Sequence, residues 1–313
     1  MYRLILIMAI ALLTQCDKHE LPPIPTQTQI PTTLTTETSF SGENCMYHVS
    51  QIVAIGERAP ATPGYEKQLQ YLQSQLTQYG WSYERQSFET NTPNGTLTFT
   101  NLRARFGKTP DFSKSAHGII SCHIDTKTGI PNFTGANDGA SGAATILELA
   151  RILATQPNKA TQIELVFFDG EECFGEFMSE DDGLFGSKYY VSQLTQPYPS
   201  WQINLDMVGR QGKKIRIPPG TSPRLFKAYT KAVDELKLGY TEWSVARAGI
   251  IDDHLPFLDA GIDAINLIDD FQSGTWWHTA ADNIHILDAK SFLSTGKMVG
   301  HLLEQLLSPQ TTK

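Results

Sequence analysis

Chemistry concentrates where the run Ile163-Glu164-Leu165-Val166-Phe167-Phe168 stops at Asp169-Gly170-Glu171-Glu172. Five apolar residues in six read as a buried parallel strand, which leaves the acids at its carboxyl end. Ligand crevices of open α/β sheets lie at that end. Adjacent carboxylates repel each other, and neither is stable near a buried strand end without a cation or a shared proton. Alone, the pair reads equally well as a solvated helix start, so its meaning depends on the rest of the chain.

Other polar residues follow predicted strand ends and turns. They are His123 with Asp125, Asp138 in Gly135-Ala136-Asn137-Asp138-Gly139, Asp206, Asp252-Asp253-His254, and His278 in Trp276-Trp277-His278-Thr279. Each has an ordinary explanation: Asn and Asp suit tight turns, and a lone His is usually a satisfied polar residue. With Glu171-Glu172 they make six such places, most of them predicted at the same end of one sheet, which are harder to explain as turns.

The elements that must position them alternate between strand and helix. Tyr65, Leu69, Leu72, Leu76 and Tyr79 mark one face of a helix ending at Gly80. Leu97–Phe106 reads as a strand after the Asn94-Gly95 turn, and 118–123 as a short strand ending at His123. A helix over 140–154, the acidic strand, a helix over 183–194 and a strand over 203–207 follow. Helices are expected over 223–238 and 253–260, a strand over 262–268 and a closing helix over 288–307. This pattern predicts one α/β domain, a mixed and mostly parallel sheet covered by helices on both faces. No linker interrupts 41–308, and no internal repeat is present.

The 313 residues are 40% hydrophobic and 19% charged, as a packed globular chain should be. A net charge of −8 without a basic stripe argues against nucleic acid as a partner. Residues 1–15 resemble a lipoprotein signal: Arg3, then an apolar run from Leu4 to Leu13 that is too short to span a bilayer. Cys16 would be the lipidated anchor, although Gln15 is larger than the residue usual before it. Residues 16–41, rich in Pro and Thr, read as a tether, 42–308 as the folded domain and 309–313 as a tail. The expected location is a bacterial periplasm, on a membrane through lipid at Cys16. Cys122 and Cys173 fall in apolar settings that suit free core thiols, whereas Cys45 leaves a disulfide open.

Taken as an ordered set, these motifs resemble the zinc-dependent glutaminyl cyclases, relatives of the zinc aminopeptidases that share their α/β fold. The matching runs are Cys122-His123-Ile124-Asp125, Gly135-Ala136-Asn137-Asp138, Phe167-Phe168-Asp169-Gly170-Glu171-Glu172 and Asp182-Gly183-Leu184-Phe185-Gly186-Ser187. They continue through Leu205-Asp206, Asp252-Asp253-His254-Leu255-Pro256-Phe257-Leu258, and Trp277-His278-Thr279 before Asp282-Asn283, over residues 42 to the C-terminus. The resemblance implies one zinc per chain on Asp138, Glu172 and His278, with a fourth position open as catalytic zinc requires. It implies Glu171 as proton shuttle and Asp206 and Asp252 as an acidic network behind it. Trp277, Ile250, Ile251 and Phe177 would line the substrate pocket, and His123 and Asp125 would support the site or hold a second metal. The implied reaction closes an N-terminal glutamine of a peptide or protein to pyroglutamate with loss of ammonia, by a monomeric enzyme.

A two-zinc aminopeptidase of the same fold is the alternative, since His123, Asp138, Glu172, Asp206 and His278 supply all five of its ligand types. Trp277 before His278, and Asp252 where those peptidases generally carry Ser, favour the cyclase. A catalytically dead binding domain is a third reading, opposed by the presence of every expected ligand and of Glu171. Three positions depart from the animal cyclases: Ala143 stands where Cys122 would have a disulfide partner, Asn266 replaces a histidine, and Phe177 replaces a pocket tryptophan.

Overall fold

A computed structural model describes residues 30–35, 38–271 and 274–307. The signal-like segment 1–15, Cys16, most of the tether and the tail 309–313 lie outside the described residues. Among the described residues, no helix is long and apolar enough to cross a membrane.

The chain is already attached to the domain near the end of the expected tether. Thr35 N donates to Asn44 Oδ1 at 2.7 Å, and Ser41 N donates to the buried Glu148 carboxylate at 2.7 Å. Ser41 then caps helix α1 (Gly42–Val53), accepting from Asn44 N. Thr62 does the same for α2 (Pro63–Gln78), with Pro63 in its favoured place in the first turn. Strands β1 (Trp81–Thr92) and β2 (Gly95–Phe106) form a twelve-residue antiparallel hairpin. The first of these was not apparent in the sequence, and the second starts two residues before Leu97.

Next come β3 (Gly118–His123), α3 (Ala140–Leu153), the single turn α4 (Pro157–Ala160), β4 (Ile163–Phe168), α5 (Phe185–Ser192) and β5 (Trp201–Asp206). The chain closes with β6 (Ile215–Ile217), α6 (Pro223–Glu235), β7 (Trp243–Val245), α7 (Leu255–Asp259), β8 (Ala264–Asp269) and α8 (Ala289–Leu306). Helix α7 therefore begins at Leu255 rather than at Asp253. The eight strands form one sheet in the order β1-β2-β4-β3-β5-β8-β6-β7. Its centre, β4-β3-β5-β8, is parallel, while β1, β2 and the β6–β8 pairing are antiparallel. The single mixed sheet matches the expectation.

Alternation along the strands divides the core. Ile120, Leu165, Phe167, Ile203 and Leu205 face the large cluster with α1, α2, α3, α6 and α8. Ile119, Val166 and Phe168 face Tyr190 of α5 and Phe257 of α7. At Gly118 the Trp201 ring lies where a side chain would be, an added Cβ falling 2.0 Å from it. Cys45, Cys122 and Cys173 are all free and buried, so Cys45 forms no disulfide with them.

Candidate active site

The carboxyl ends of β3, β4, β5 and β8 converge as the topology requires. His123 at the end of β3 has Nε2 at 3.0 Å from Asp138 and 3.2 Å from Asp206 at the end of β5. Its Nδ1 faces Asp125 at 3.6 Å and Glu171 at 3.9 Å. The buried Asp125 carboxylate accepts from the backbone N–H groups of Glu171 and Glu172, at 3.2 and 3.1 Å, and so sets both acids after β4. Asp138 lies in the loop before α3. Its N–H, and that of Asn137, donate to the Asp282 carboxylate at 3.0 and 2.7 Å. Buried Arg58 ties the same loop by donating to the carbonyls of Thr134 and Gly135.

His278 brings its Nε2 to 3.2 Å from Glu172 and 3.4 Å from Asp138. Both His278 and Met207, next to Asp206, have φ of 51°. Left-handed backbone at non-glycine residues stores strain of a kind that clusters at functional sites. Trp277 stacks on the His278 ring with centroids 3.9 Å apart, and Phe271 packs on Trp277 at 4.6 Å.

Two overlapping donor sets result, Asp138–Glu172–His278 and His123–Asp138–Asp206, each with its ligand atoms within 4.8 Å of one another. Mixed imidazole and carboxylate donors suit zinc. Asp138 Oδ2 and Glu172 Oε1 are buried without a hydrogen-bond donor, as oxygens aimed at a cation would be. Titration fits the same picture. Burial pushes the Glu171 carboxyl well above the usual range; His123 opposes this, and Glu172, Asp252 and Asp253 add to it. Burial likewise raises Asp206 to about 6 and Asp252 to about 7, Asp206 adding to the Asp252 shift. At His278 burial lowers the pKa, but Asp138 and Glu172 outweigh it and hold the ring up at about 10. Crowded acids that raise one another's pKa are what a divalent cation would relieve. The residues present fit zinc.

Asp252 is held from below by a chain of buried side-chain amides. Gln202 donates to Ser121 at 2.7 Å and Ser121 to Asn204 at 2.8 Å. Asn204 and Asn266 each donate to one Asp252 oxygen, at 3.0 and 2.5 Å. A cavity of about 300 Å³ opens above, lined by Glu171, Glu172, Asp206 and Asp252 on its polar side. Phe177, Met178, Ile250, Ile251, Phe271 and Trp277 make its apolar walls.

Residues 101–303 match the family profile of peptidase family M28. Glutaminyl-peptide cyclotransferase of Bothrops jararaca is 30% identical over 284 residues, covering 78% of this chain and 76% of that protein. The chain belongs to peptidase family M28, among the glutaminyl-peptide cyclotransferases. The crystal structure of Porphyromonas gingivalis glutaminyl cyclase superposes with a TM-score of 0.75 at 26% identity, over 85% of this chain and 98% of that one. Aminopeptidase YwaD of Bacillus subtilis is also 30% identical, but over only 58% of this chain and 39% of its own length.

For a member of this family, the structure brings together every site residue expected from sequence. Phe177 is the most open of them, 78% exposed on the rim, and Ile251 is exposed beside it. The Asp252-Asp253-His254 run splits: only Asp252 reaches the cavity. Asp253 is fully buried, which pushes its carboxyl well above the usual range, and burial holds His254 down at about 4. Sequence reasoning gave no role to Asp282, Asp182 or Lys127. Asp182 accepts from the N–H of Phe174 and of Gly175, both at 2.8 Å, which closes the loop bearing Phe177. Lys127 donates to the carbonyls of Cys173 and Gly175 behind Glu172. Asp282 and Asp182 stood inside motif matches, the one signal that singled them out.

Proposed function

We propose that this protein converts the N-terminal glutamine of peptides to pyroglutamate, releasing ammonia. The observation that carries this reading is the extent of the likeness. Cyclotransferase relatives match in sequence along most of both chains, whereas the aminopeptidase of Bacillus subtilis is matched over well under half of its length. Structures of a zinc exopeptidase and a leucine aminopeptidase precursor superpose over their full length but at 24% identity, a likeness of fold alone.

Asp138, Glu172 and His278 would hold one zinc. When bound, it supplies a Lewis acid for the glutamine side-chain carbonyl. The remaining roles belong to the chain and its substrate. Trp277, Ile250 and the adjacent apolar walls enclose the glutamine side chain and exclude water from it. The substrate's own α-amine attacks Cδ, so no enzyme nucleophile is required. Glu171, buried at the cavity wall, accepts a proton from that amine and delivers one to the departing nitrogen. The new C–N bond closes the ring as the bond to the amide nitrogen breaks. His123, Asp206 and Asp252 hold the surrounding charge, and their protons are best treated as one shared system.

Incubation with Gln-Ala-amide should give ammonia and a pyroglutamyl product in equal amounts. Release of free glutamine, with two zinc equivalents per chain, would instead establish the aminopeptidase reading. For location, the apolar run before Cys16 and the Pro/Thr-rich stretch after it support export and lipid attachment at that cysteine. Stable anchoring then needs the several acyl chains of a lipoprotein. A Cys16→Ser variant should leave the membrane fraction; equal retention would refute the anchor.

A further inference from the structure

A second cavity, of about 720 Å³, adjoins the catalytic one and shares Ile250 and Phe271 with it as a common wall. Its remaining lining comes from β6, β7, the residues just before and after them and the end of β8, with Lys214, Arg216 and Arg247 as its cations and Asp269 and Asp270 as its acids. Both acids are already engaged. Asp269 is paired with Arg210 at 2.5 Å and accepts from Lys214 N at 2.8 Å. Asp270 faces the Arg216 guanidinium at 3.4 Å, and Arg216 is further fixed by donating to the Thr241 carbonyl at 3.3 Å. Lys214 and Arg247 are exposed, and no carboxylate among the described residues pairs with either at ion-pair distance. The groove thus presents uncompensated positive charge on a chain whose net charge is −8. Charge around the catalytic mouth is also uneven, because the loop bearing Phe177 carries exposed Glu176, Glu180 and Asp181.

We infer that this groove binds the stretch of a peptide substrate beyond its second residue, and that it selects stretches carrying Asp or Glu. The inference rests on the proposed cyclisation, which places the N-terminal residue in the catalytic cavity. A peptide advances about 3.3–3.6 Å per extended residue, so a chain leaving that cavity over Ile250 and Phe271 enters the groove within its first few residues. Carboxylates there would meet Lys214 and Arg247, whereas at the Glu176–Asp181 loop they would be repelled. Complementary charge of this kind sets orientation and encounter rate more than intrinsic tightness.

The test compares pyroglutamate formation from Gln-Ala-Asp-Glu-Ala-amide and Gln-Ala-Ala-Ala-Ala-amide, with Gln-Ala-amide as a third substrate. Exposed ion pairs contribute a few-fold each, so the acidic peptide should lead in kcat/KM by about five- to tenfold at low salt. That lead should shrink towards one as ionic strength rises from about 0.01 M to about 1 M and the screening length falls from about 30 Å to about 3 Å. It should also vanish in the double variant Lys214→Glu/Arg247→Glu, read as the ratio of the two pentapeptides within one preparation. Equal rates for the two pentapeptides at low salt in the native enzyme, or a ratio that survives both salt and the double variant, would overturn the inference. Turnover of Gln-Ala-amide separates the two claims: if it is cyclised while the pentapeptides are indistinguishable, only the groove assignment fails. If none of the three is cyclised, the proposed function fails and the groove assignment with it.

Discussion

Glu171 and Glu172 are neighbours in sequence and should fail in different ways when each is replaced by Gln. Glu171 is 6% exposed at the cavity wall, outside the Asp138–Glu172–His278 set, and Asp125 holds its backbone N–H rather than its carboxyl. A Gln there keeps size and backbone anchoring but cannot exchange a proton. Its loss as general acid and base should lower kcat by about a hundred- to ten-thousand-fold, equivalent to roughly 3–5 kcal/mol of barrier. Zinc should stay bound. Glu172 instead lies 3.2 Å from His278 within the ligand set, so Glu172→Gln exchanges a charged ligand for a neutral amide where only three protein ligands hold the ion. That variant should lose zinc on dialysis. The assay is kcat and kcat/KM on Gln-Ala-amide, with zinc per chain measured on the same dialysed samples. The reasoning fails if Glu171→Gln retains most of its activity, or sheds zinc as readily as Glu172→Gln.

Dialysed native enzyme should contain near one equivalent of zinc, and a chelator should abolish turnover until zinc is restored; a stable second equivalent would contradict the single-ion reading. Asp282→Asn should weaken zinc binding by about ten- to a hundredfold, because it disturbs the carboxylate that receives the N–H groups of Asn137 and Asp138; unchanged zinc affinity would show that the loop holds itself. The rate constant kcat/KM should rise with pH towards about 7.7–8.0, where the substrate's α-amine becomes neutral, and a flat profile below that range would exclude the amine as nucleophile. His48 is fully buried against the Tyr71 hydroxyl at 2.7 Å, and burial, aided by Arg151, lowers its pKa to about 3. Its folded pKa lies below the unfolded one, so stability is fully present above about 6.5 and is lost as pH falls towards 3. Between pH 7 and pH 5 this amounts to about 2 kcal/mol, which His48→Asn should remove from the pH dependence of urea unfolding; identical slopes in the two proteins would refute the assignment.

Much of this site is legible in the chain because its chemistry lies at the junctions between elements. An apolar run that stops in Asp-Gly-Glu-Glu declares both a buried strand and the acids at its mouth. The closing helix starts where the sequence places it, with the Asp288 side chain accepting from Ser291 N, whereas helix α1, capped by Ser41, is not apparent in the sequence. What local pattern could not declare is long-range pairing. Strand β1 carries Glu84, Arg85 and Gln86 in a polar stretch that resembles a surface loop, and twelve paired positions with β2 make it a strand. The three-residue strands β6 and β7 exist because β8 offers β6 an edge. Only the folded chain places Asp282 under Asn137 and Asp138, more than 140 positions away. Only it turns Asp252 towards the cavity and leaves Asp253 in the interior. The basic groove is tertiary in the same sense: Lys214, Arg216 and Arg247 are scattered through a chain of negative net charge, and become one positive surface where β6, β7 and the end of β8 meet. Strand periodicity and capping are encoded by neighbours in sequence, whereas electrostatic surfaces and supporting carboxylates depend on which strands pair, and that is decided by the whole core at once.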